Sequence, residues 1–212
     1  MTRSVTLRRF PRNPPRTCGP SPTLTQDAAR ALLAAFGWQV DVRFPPVPRC
    51  VIIVYPHTSN WDFVIGYLAR LAAAIPIQFV GKHTLFRWPF GGLLRRMGGI
   101  PVNRTDPAGL VERLAGELAR GDRLWLALAP EGTRSYTDHW KSGFYRLALE
   151  AKVPVGLGFI DYRGRTVGLT TYLSLSGDEE ADLARIRTVY AGKVGKHPEQ
   201  ASDIRFRPAR RR

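Results

Sequence analysis

The chain of 212 residues is long enough for one domain with a substantial core, and its 44% hydrophobic and 23% charged residues are ordinary for a globular protein. Its formal net charge of +15 is not ordinary, and it predicts acidic partners such as a nucleic acid, an anionic membrane or an acidic carrier protein. The two cysteines, Cys18 in a proline-rich segment and Cys50 at the start of an apolar run, do not suggest a disulfide framework, and no apolar stretch reaches the roughly 20 residues of a membrane-spanning helix.

The N-terminal residues 1–23 are rich in arginine and proline and contain no acidic residue, which predicts a flexible basic arm before a domain at residues 24–212. They also lack the apolar core of a signal peptide, so we expect a cytoplasmic protein. A short helix is predicted over Thr25–Phe36, with Thr25 as its cap and Gly37 as its stop. Its apolar face either packs on the core, which we favour, or lies in a membrane interface.

From Cys50 onward, β-branched runs alternate with helical patterns. The predicted strands are Val51–Tyr55, Ile77–Val80, Ile100–Val102, Leu124–Ala129, Val153–Ile160 and Arg165–Leu173. The predicted helices are Asp62–Ala74, a segment from the cap Asp106 and Pro107 to Gly121, Ser142–Lys152 and Asp178–Tyr190. This alternation predicts a single-domain α/β fold, a mixed and largely parallel sheet flanked by helices.

A histidine and an aspartate follow the first of these strands, in His-Thr-Ser-Asn-Trp-Asp. On one helix, His57 and Asp62 would point about 140° apart. With His57 in the loop and Asp62 in the first helical turn, the carboxylate can hold one imidazole nitrogen while the other takes a proton. The spacing alone is a weak signal, and a purely structural loop histidine is the alternative.

A second polar group follows the strand Leu124–Ala129, in Ala-Pro-Glu-Gly-Thr-Arg-Ser. Gly132 permits a tight turn, Thr133 adds a hydroxyl, and Arg134 presents a bidentate fork for phosphate. Glu131 either orients this arginine or binds substrate hydroxyls. An ordinary charged surface turn is the alternative for the whole group.

Between these two groups lies Gly-Gly-Ile-Pro-Val-Asn-Arg, in which Asn103 and Arg104 follow another strand. Carboxyl ends of parallel strands meet at one sheet edge, so Arg104 and Arg134 are expected to converge on one anion. Lys141, just before the Ser142–Lys152 helix, is expected to join them.

The ordered set of these motifs, followed by Val153-Pro154-Val155, resembles the four blocks of the glycerolipid acyltransferase family. That family includes the 1-acylglycerol-3-phosphate acyltransferases, and the resemblance covers roughly residues 28–175. It implies a glycerol-3-phosphate acyltransferase-like fold, and this sequence is expected to depart from some members in lacking their N-terminal transmembrane hairpin. It also implies that His57 is the general base and Asp62 its orienting partner. The acceptor-binding residues that it implies, with those added from the motifs, are Asn103, Arg104, Glu131, Gly132, Thr133, Arg134 and Lys141.

The resemblance implies an enzyme that moves an acyl group from acyl-CoA or an acyl carrier protein to the hydroxyl of a lysophospholipid, with 1-acylglycerol-3-phosphate favoured. No cofactor or metal is expected. Without a serine or cysteine in a nucleophile-elbow pattern, we expect direct transfer. The basic surface predicts peripheral binding to the inner face of the membrane. Asn103, where relatives often carry aspartate, leaves the acceptor open, and a lyso-ornithine-type lipid is the alternative.

Two other classes remain alternatives, a nucleic-acid-binding protein and a non-catalytic lipid-binding domain. The first would require aromatic residues interleaved with basic ones on one face, or a recognised nucleic-acid-binding module, and neither is evident from the sequence. We expect the other histidines to be structural or solvated: His83, His139 and His197. Most of the later aromatic residues are expected to pack in the core, with an acyl pocket as the alternative: Trp88, Phe90, Trp140, Phe144 and Tyr145.

Overall fold

The computed structural model of the chain describes residues 23–103, 107–120 and 123–207. The helices are α1 Leu24–Ala35, α2 Trp61–Ala72, α3 Gly91–Arg96, α4 Pro107–Arg120, α5 Gly143–Glu150 and α6 Glu179–Tyr190. The strands are β1 Gln39–Val42, β2 Arg49–Val54, β3 Ile77–Lys82, β4 Gly99–Val102, β5 Leu124–Leu128, β6 Val155–Asp161 and β7 Thr166–Leu173.

All seven strands form one sheet in the order β1-β7-β6-β2-β5-β3-β4. The five neighbours from β6 to β4 run parallel, while β7 pairs antiparallel with β6 and β1 runs parallel with β7. The carboxyl ends of β6, β2, β5, β3 and β4 therefore lie at one edge, which we call the carboxyl edge. The predicted α/β fold with a mixed, largely parallel sheet is confirmed.

Side chains of the central strand β2 alternate between two hydrophobic layers. Val51 and Ile53 pack in a cluster with α4, α5 and α6, whereas Cys50 and Ile52 face the opposite side of the sheet. On that second side, α1 and α2 pack on each other and on β6 and β7. Because both faces of β2 are covered, its sequence Arg-Cys-Val-Ile-Ile-Val is almost continuously apolar, as expected of a central parallel strand.

The start of α1 differs from the prediction. Thr23, and not Thr25, caps the helix, because its hydroxyl accepts the Gln26 amide while the Gln26 side chain accepts the Thr23 amide. Gly37 ends the helix as predicted, with a φ of +72°. The rest of the predicted arm, residues 1–22, lies outside the described residues, as do the predicted cap Asp106 and stop Gly121 of α4.

Two elements were missed by the sequence analysis, the edge strand β1 and the short helix α3. The apolar side chains of α1 and of Phe36, the residue that caps its end, differ in burial: Ala29 and Leu33 are buried against α2, while Leu32 and Phe36 are exposed. Among the described residues, none of the helices combines the length and apolarity that crossing a bilayer requires.

Candidate active site

The loop between β2 and α2 brings His57 and Asp62 together as predicted. His57 lies in the loop, and Asp62 is the second residue of α2. His57 Nδ1 is 3.2 Å from Asp62 Oδ2, and the side chains are 20% and 1% exposed. No hydrogen bond to His57 Nε2 comes from the described part of the chain. An aspartate that accepts from Nδ1 fixes the tautomer in which Nε2 has the free lone pair.

Asp62 is held by groups from three places in the chain. Besides His57, the Ser59 amide donates to Oδ2 at 2.8 Å and the Tyr162 hydroxyl donates to Oδ1 at 2.7 Å. Burial acts to raise the pKa of Asp62, but the hydrogen bonds from His57, Tyr162 and Ser59 outweigh it and hold this pKa below its ordinary value. The carboxylate is therefore ionised at neutral pH, as a group that orients an imidazole and stabilises its protonated form must be.

Glu131, after β5, lies beneath the same loop and is 1% exposed. Its Oε2 accepts the backbone amide of His57 at 2.8 Å, and its Oε1 accepts the backbone amide of Ser202 at 3.0 Å. Burial raises the pKa of Glu131, and the two amide hydrogen bonds oppose that rise without cancelling it. In this structure the carboxylate fixes the backbone of His57 and, within the described residues, makes no hydrogen bond with the Arg134 side chain, while the alternative role of binding substrate hydroxyls stays a prediction.

The C-terminal segment, residues 196–206, crosses both loops of the site. The His197 amide donates to the Thr58 hydroxyl at 3.2 Å, and the carbonyl of Ser202 accepts the Tyr55 hydroxyl at 3.0 Å. When the oxygen and nitrogen of the Gln200 side-chain amide are exchanged, which is the orientation that satisfies both atoms, the nitrogen donates to the carbonyls of Thr58 at 3.2 Å and Arg134 at 2.6 Å. One nitrogen atom thus joins the His57 loop to the loop after β5.

The residues after Glu131 form an exposed rim beside this site. Gly132 adopts a φ of +67°, and Lys141 packs against it so closely that an added Cβ would lie 3.0 Å from the lysine Cδ. Thr133 accepts the Ser135 amide through its hydroxyl at 3.2 Å, and the side chain of Arg134 is exposed. The predicted cations Arg134 and Lys141 therefore lie in adjoining parts of one loop region at the carboxyl edge.

The second predicted arginine cannot be placed, because Arg104 lies outside the described residues. Asn103, next to it, is exposed at the end of β4 and so stands on the same carboxyl edge. Their acceptor-binding roles stay predictions.

Three site residues were missed by the sequence analysis, namely Tyr162, Gln200 and Ser202. Of these three, only Tyr162 has a sequence signal that could have placed it in the site, because it directly follows the strand β6.

Of the aromatic residues expected in the core, Trp140, Phe144 and Tyr145 are at most 2% exposed, as predicted. The expectation that most of the five pack in the core is therefore confirmed, and the two exceptions, Trp88 and Phe90, are 93% and 66% exposed because the connection after β3 turns them outward. No group of three or more His, Cys, Asp or Glu side chains within residues 23–103, 107–120 and 123–207 is arranged to hold a metal ion.

The sequence model of the acyltransferase family matches residues 41–156, which is more than half of the chain and includes the loops of both His57 and Glu131. The chain belongs to the acyltransferase family. The family predicted from the ordered motifs is thereby confirmed. Tyr162, Gln200 and Ser202 lie beyond the matched residues, so this acyltransferase completes its site with a part of the chain that the family motifs do not include.

Two individual proteins are similar to this acyltransferase. Over 115 residues it is 31% identical to the 1-acyl-sn-glycerol-3-phosphate acyltransferase of Streptococcus pneumoniae, an alignment of 53% of this chain and 42% of that protein. The chain thus spans less than half the length of that curated relative. The crystal structure of the 1-acyl-sn-glycerophosphate acyltransferase PlsC of Thermotoga maritima matches with a TM-score of 0.54 at 16% identity, covering 80% of this chain and 77% of that one. At this identity the likeness shows a shared fold.

Proposed function

We propose that this protein is an O-acyltransferase that moves a fatty acyl group from a thioester to the hydroxyl of a 1-acylglycerol-3-phosphate-type lysophospholipid. The observation that carries the proposal is the His57–Asp62 pair, whose geometry leaves one basic nitrogen at the carboxyl edge of the sheet. Membership of the acyltransferase family supports the reaction type, and the Streptococcus pneumoniae relative, a 1-acyl-sn-glycerol-3-phosphate acyltransferase by name, supports the acceptor.

In the proposed reaction, His57 Nε2 removes the proton from the acceptor hydroxyl. The oxygen attacks the thioester carbonyl, a C–O bond forms, and the C–S bond breaks as the carbonyl re-forms. The protonated imidazole returns its proton to the departing thiolate, so the products are the ester and a free thiol. Asp62 holds the ring and stabilises its protonated form through Nδ1. No covalent acyl-enzyme is required.

The exposed rim supports a phosphate-bearing acceptor. Arg134 offers a planar fork for phosphate and Lys141 a second charge, and Gln200 ties the backbone of Arg134 to that of Thr58, the residue after His57. An acceptor phosphate bound at Arg134 would therefore place its glycerol hydroxyl toward His57. Arg104 is proposed as a further phosphate contact.

The donor is proposed to be acyl-CoA or an acyl carrier protein, both of which are acidic and suit a chain of net charge +15. The same charge supports a peripheral position on the inner face of the membrane, where anionic lipid attracts basic proteins. Vesicle binding of this origin weakens as the ionic strength rises.

An acceptor panel tests the proposal. Purified protein is given a radiolabelled acyl donor and, separately, 1-acylglycerol-3-phosphate, 1-acylglycerol with no phosphate, a lyso-ornithine lipid and no acceptor. We expect labelled diacyl product with the first acceptor and little with the second, and Arg134→Ala should raise the KM for the phosphate-bearing acceptor more than it lowers kcat. Equal rates with and without the phosphate, or a preference for the lyso-ornithine lipid, would contradict the proposed acceptor.

A further inference from the structure

The connection between β3 and β4 presents an apolar surface to solvent. Its four members are Leu85, Trp88, Phe90 and Leu93, which are 54%, 93%, 66% and 57% exposed; we call them the β3–β4 patch. Single exposed apolar residues are ordinary, but four large ones within nine residues mark an interaction surface. Nothing in the chemistry proposed above uses them.

The fold holds this connection rigidly, so the exposure is not that of a loose loop. Phe86 points inward and is 6% exposed, and Arg95 donates to the carbonyls of Phe86 at 3.2 Å and Gly91 at 3.4 Å. The Arg95 guanidinium also lies 5.5 Å from the centre of the Phe86 ring. Gly91 is so close that a Cβ there would lie 2.0 Å from the Phe86 carbonyl oxygen. These contacts hold Phe86 and the backbone beside it against the core, so the side chains of the β3–β4 patch face the solvent.

The charge around the β3–β4 patch selects its partner. Between Asp62 and Asp106 the sequence contains no acidic residue. The exposed basic side chains along the connection are Lys82, Arg87, Arg95 and Arg96. Tryptophan and phenylalanine beside arginine suit the interface of an anionic bilayer, where apolar rings enter the headgroup layer and each cation gains about 1 kcal/mol from the surface potential. A second copy of this chain would bring an equally positive surface and be repelled.

The connection also leaves the sheet at the carboxyl edge, where the candidate site lies. It begins after Lys82, the last residue of β3, which runs parallel with β5 and through it with β2. His57 and Glu131 follow β2 and β5, so the connection begins at the carboxyl edge where the site lies. From there the connection crosses to the start of β4, which runs parallel with β3, so a bilayer that contacts its first residues lies beside the carboxyl edge.

We propose that the β3–β4 patch is a membrane-binding surface that inserts Trp88 and Phe90 into the interface of a bilayer containing anionic phospholipid. The proposal deepens the proposed function, since it names the surface through which the protein reaches a lipid acceptor. The binding itself requires no substrate and is measured without one.

Sedimentation with equimolar phosphatidylglycerol–phosphatidylcholine vesicles tests the binding. The double variant Trp88→Ser/Phe90→Ser should bind about tenfold more weakly or worse, because two large apolar side chains no longer leave water. Leu149→Ser is the matched control, an exposed apolar residue of α5 away from the connection, and should bind like the unaltered protein. Pure phosphatidylcholine vesicles should bind the unaltered protein at least tenfold more weakly. Unchanged binding by the double variant, or loss of binding on Phe36→Ser at the end of α1 instead, would overturn the proposal.

Quenching by brominated lipid locates the insertion. In the unaltered protein the vesicles should quench tryptophan fluorescence, and Trp88→Phe should keep vesicle binding but lose most of the quenching. Quenching that persists in Trp88→Phe would assign the embedded tryptophan elsewhere and overturn the proposal. A Trp88→Ser/Phe90→Ser variant that loses affinity for acyl carrier protein but not for vesicles would also overturn the proposal. Acyl transfer between water-soluble short-chain substrates should be unchanged in the double variant. If neither the double variant nor the unaltered protein transfers acyl groups between these substrates, that result counts against the proposed function and not against the membrane-binding surface.

Discussion

The hydroxyl of Tyr162 offers a quantitative test of how Asp62 is held. Tyr162→Phe removes the 2.7 Å hydrogen bond to Asp62 Oδ1 and leaves the ring, which Trp38 contacts edge-on at 5.0 Å, in place. A hydrogen bond to a charged group contributes about 1.5–3 kcal/mol, and within the described residues Oδ1 of the buried carboxylate accepts no other hydrogen bond. We therefore expect the free energy of unfolding to fall by about 1.5–3 kcal/mol.

The effect on catalysis should be smaller than the effect on stability. Asp62 keeps its hydrogen bonds with His57 and Ser59, so only the precise orientation of the pair is weakened. We expect kcat to fall about tenfold, which is about 1.4 kcal/mol of transition-state stabilisation, with KM little changed. Urea unfolding and steady-state acyl-transfer kinetics measure the two quantities on the same preparations.

Tyr145→Phe is the matched control, because it removes a 2.9 Å hydrogen bond from a buried tyrosine to the buried Asp182, and within the described residues neither of these side chains hydrogen-bonds to His57, Asp62 or Glu131. It should cost comparable stability and leave kcat unchanged. If Tyr162→Phe changes neither stability nor kcat, or if Tyr145→Phe lowers kcat as much, then Tyr162 does not position the pair.

The pH dependence of this stability difference has a definite sign. The pKa of Asp62 is lowered from its ordinary value of 3.8, so its ionised form stabilises the fold above that pH and the contribution is lost as the pH falls through the lowered pKa. Removing the Tyr162 hydroxyl raises the pKa of Asp62 back toward the ordinary value. The difference in the free energy of unfolding between Tyr162→Phe and the unaltered protein should therefore have its full value above pH 3.8 and decrease as the pH falls below it.

Three further substitutions test the supporting structure. Glu131→Gln places an NH₂ group against one of two buried backbone amides, and we expect a loss of about 1–3 kcal/mol in urea unfolding together with a lower kcat, because the His57 loop is released. Gly132→Ala should lose about 1–2 kcal/mol at its φ of +67°, whereas Gly143→Ala, with open space around it at the start of a helix, should lose nothing. Ile53→Ala in the core should lose about 2–5 kcal/mol in the same assay.

Much of the architecture could be predicted from the sequence because its signals are local. The run Val51–Tyr55 is apolar on both faces, which only a central parallel strand requires, and the structure has β2 there. The edge strand β1 gave no such signal, since Gln39–Val42 alternates short polar and apolar residues and obtains its pairing from β7, more than 120 residues later. Helix α3 is a single glycine-led stretch whose position depends on packing against Phe86.

The site residues also divide into those that a local sequence signal predicts and those that only the fold brings together. His57 and Asp62 are five residues apart, so their meeting depends on one loop and could be predicted. Tyr162 and Ser202 reach the same groups from positions 100 and 71 residues away in the chain from their partners. No spacing rule relates such residues, and only the fold shows that residues 196–206 cross the loop of His57.

Acyl transfer by His57→Ala tests the central claim most directly. With radiolabelled acyl donor and 1-acylglycerol-3-phosphate, general-base catalysis predicts that kcat falls about 10²–10⁴-fold while the vesicle binding and urea stability of the variant stay near those of the unaltered protein. His197→Ala is the matched control, because that histidine contributes its backbone amide and not its ring to the site loop, and it should keep its rate. A His57→Ala protein that transfers acyl groups at nearly the full rate would contradict the account.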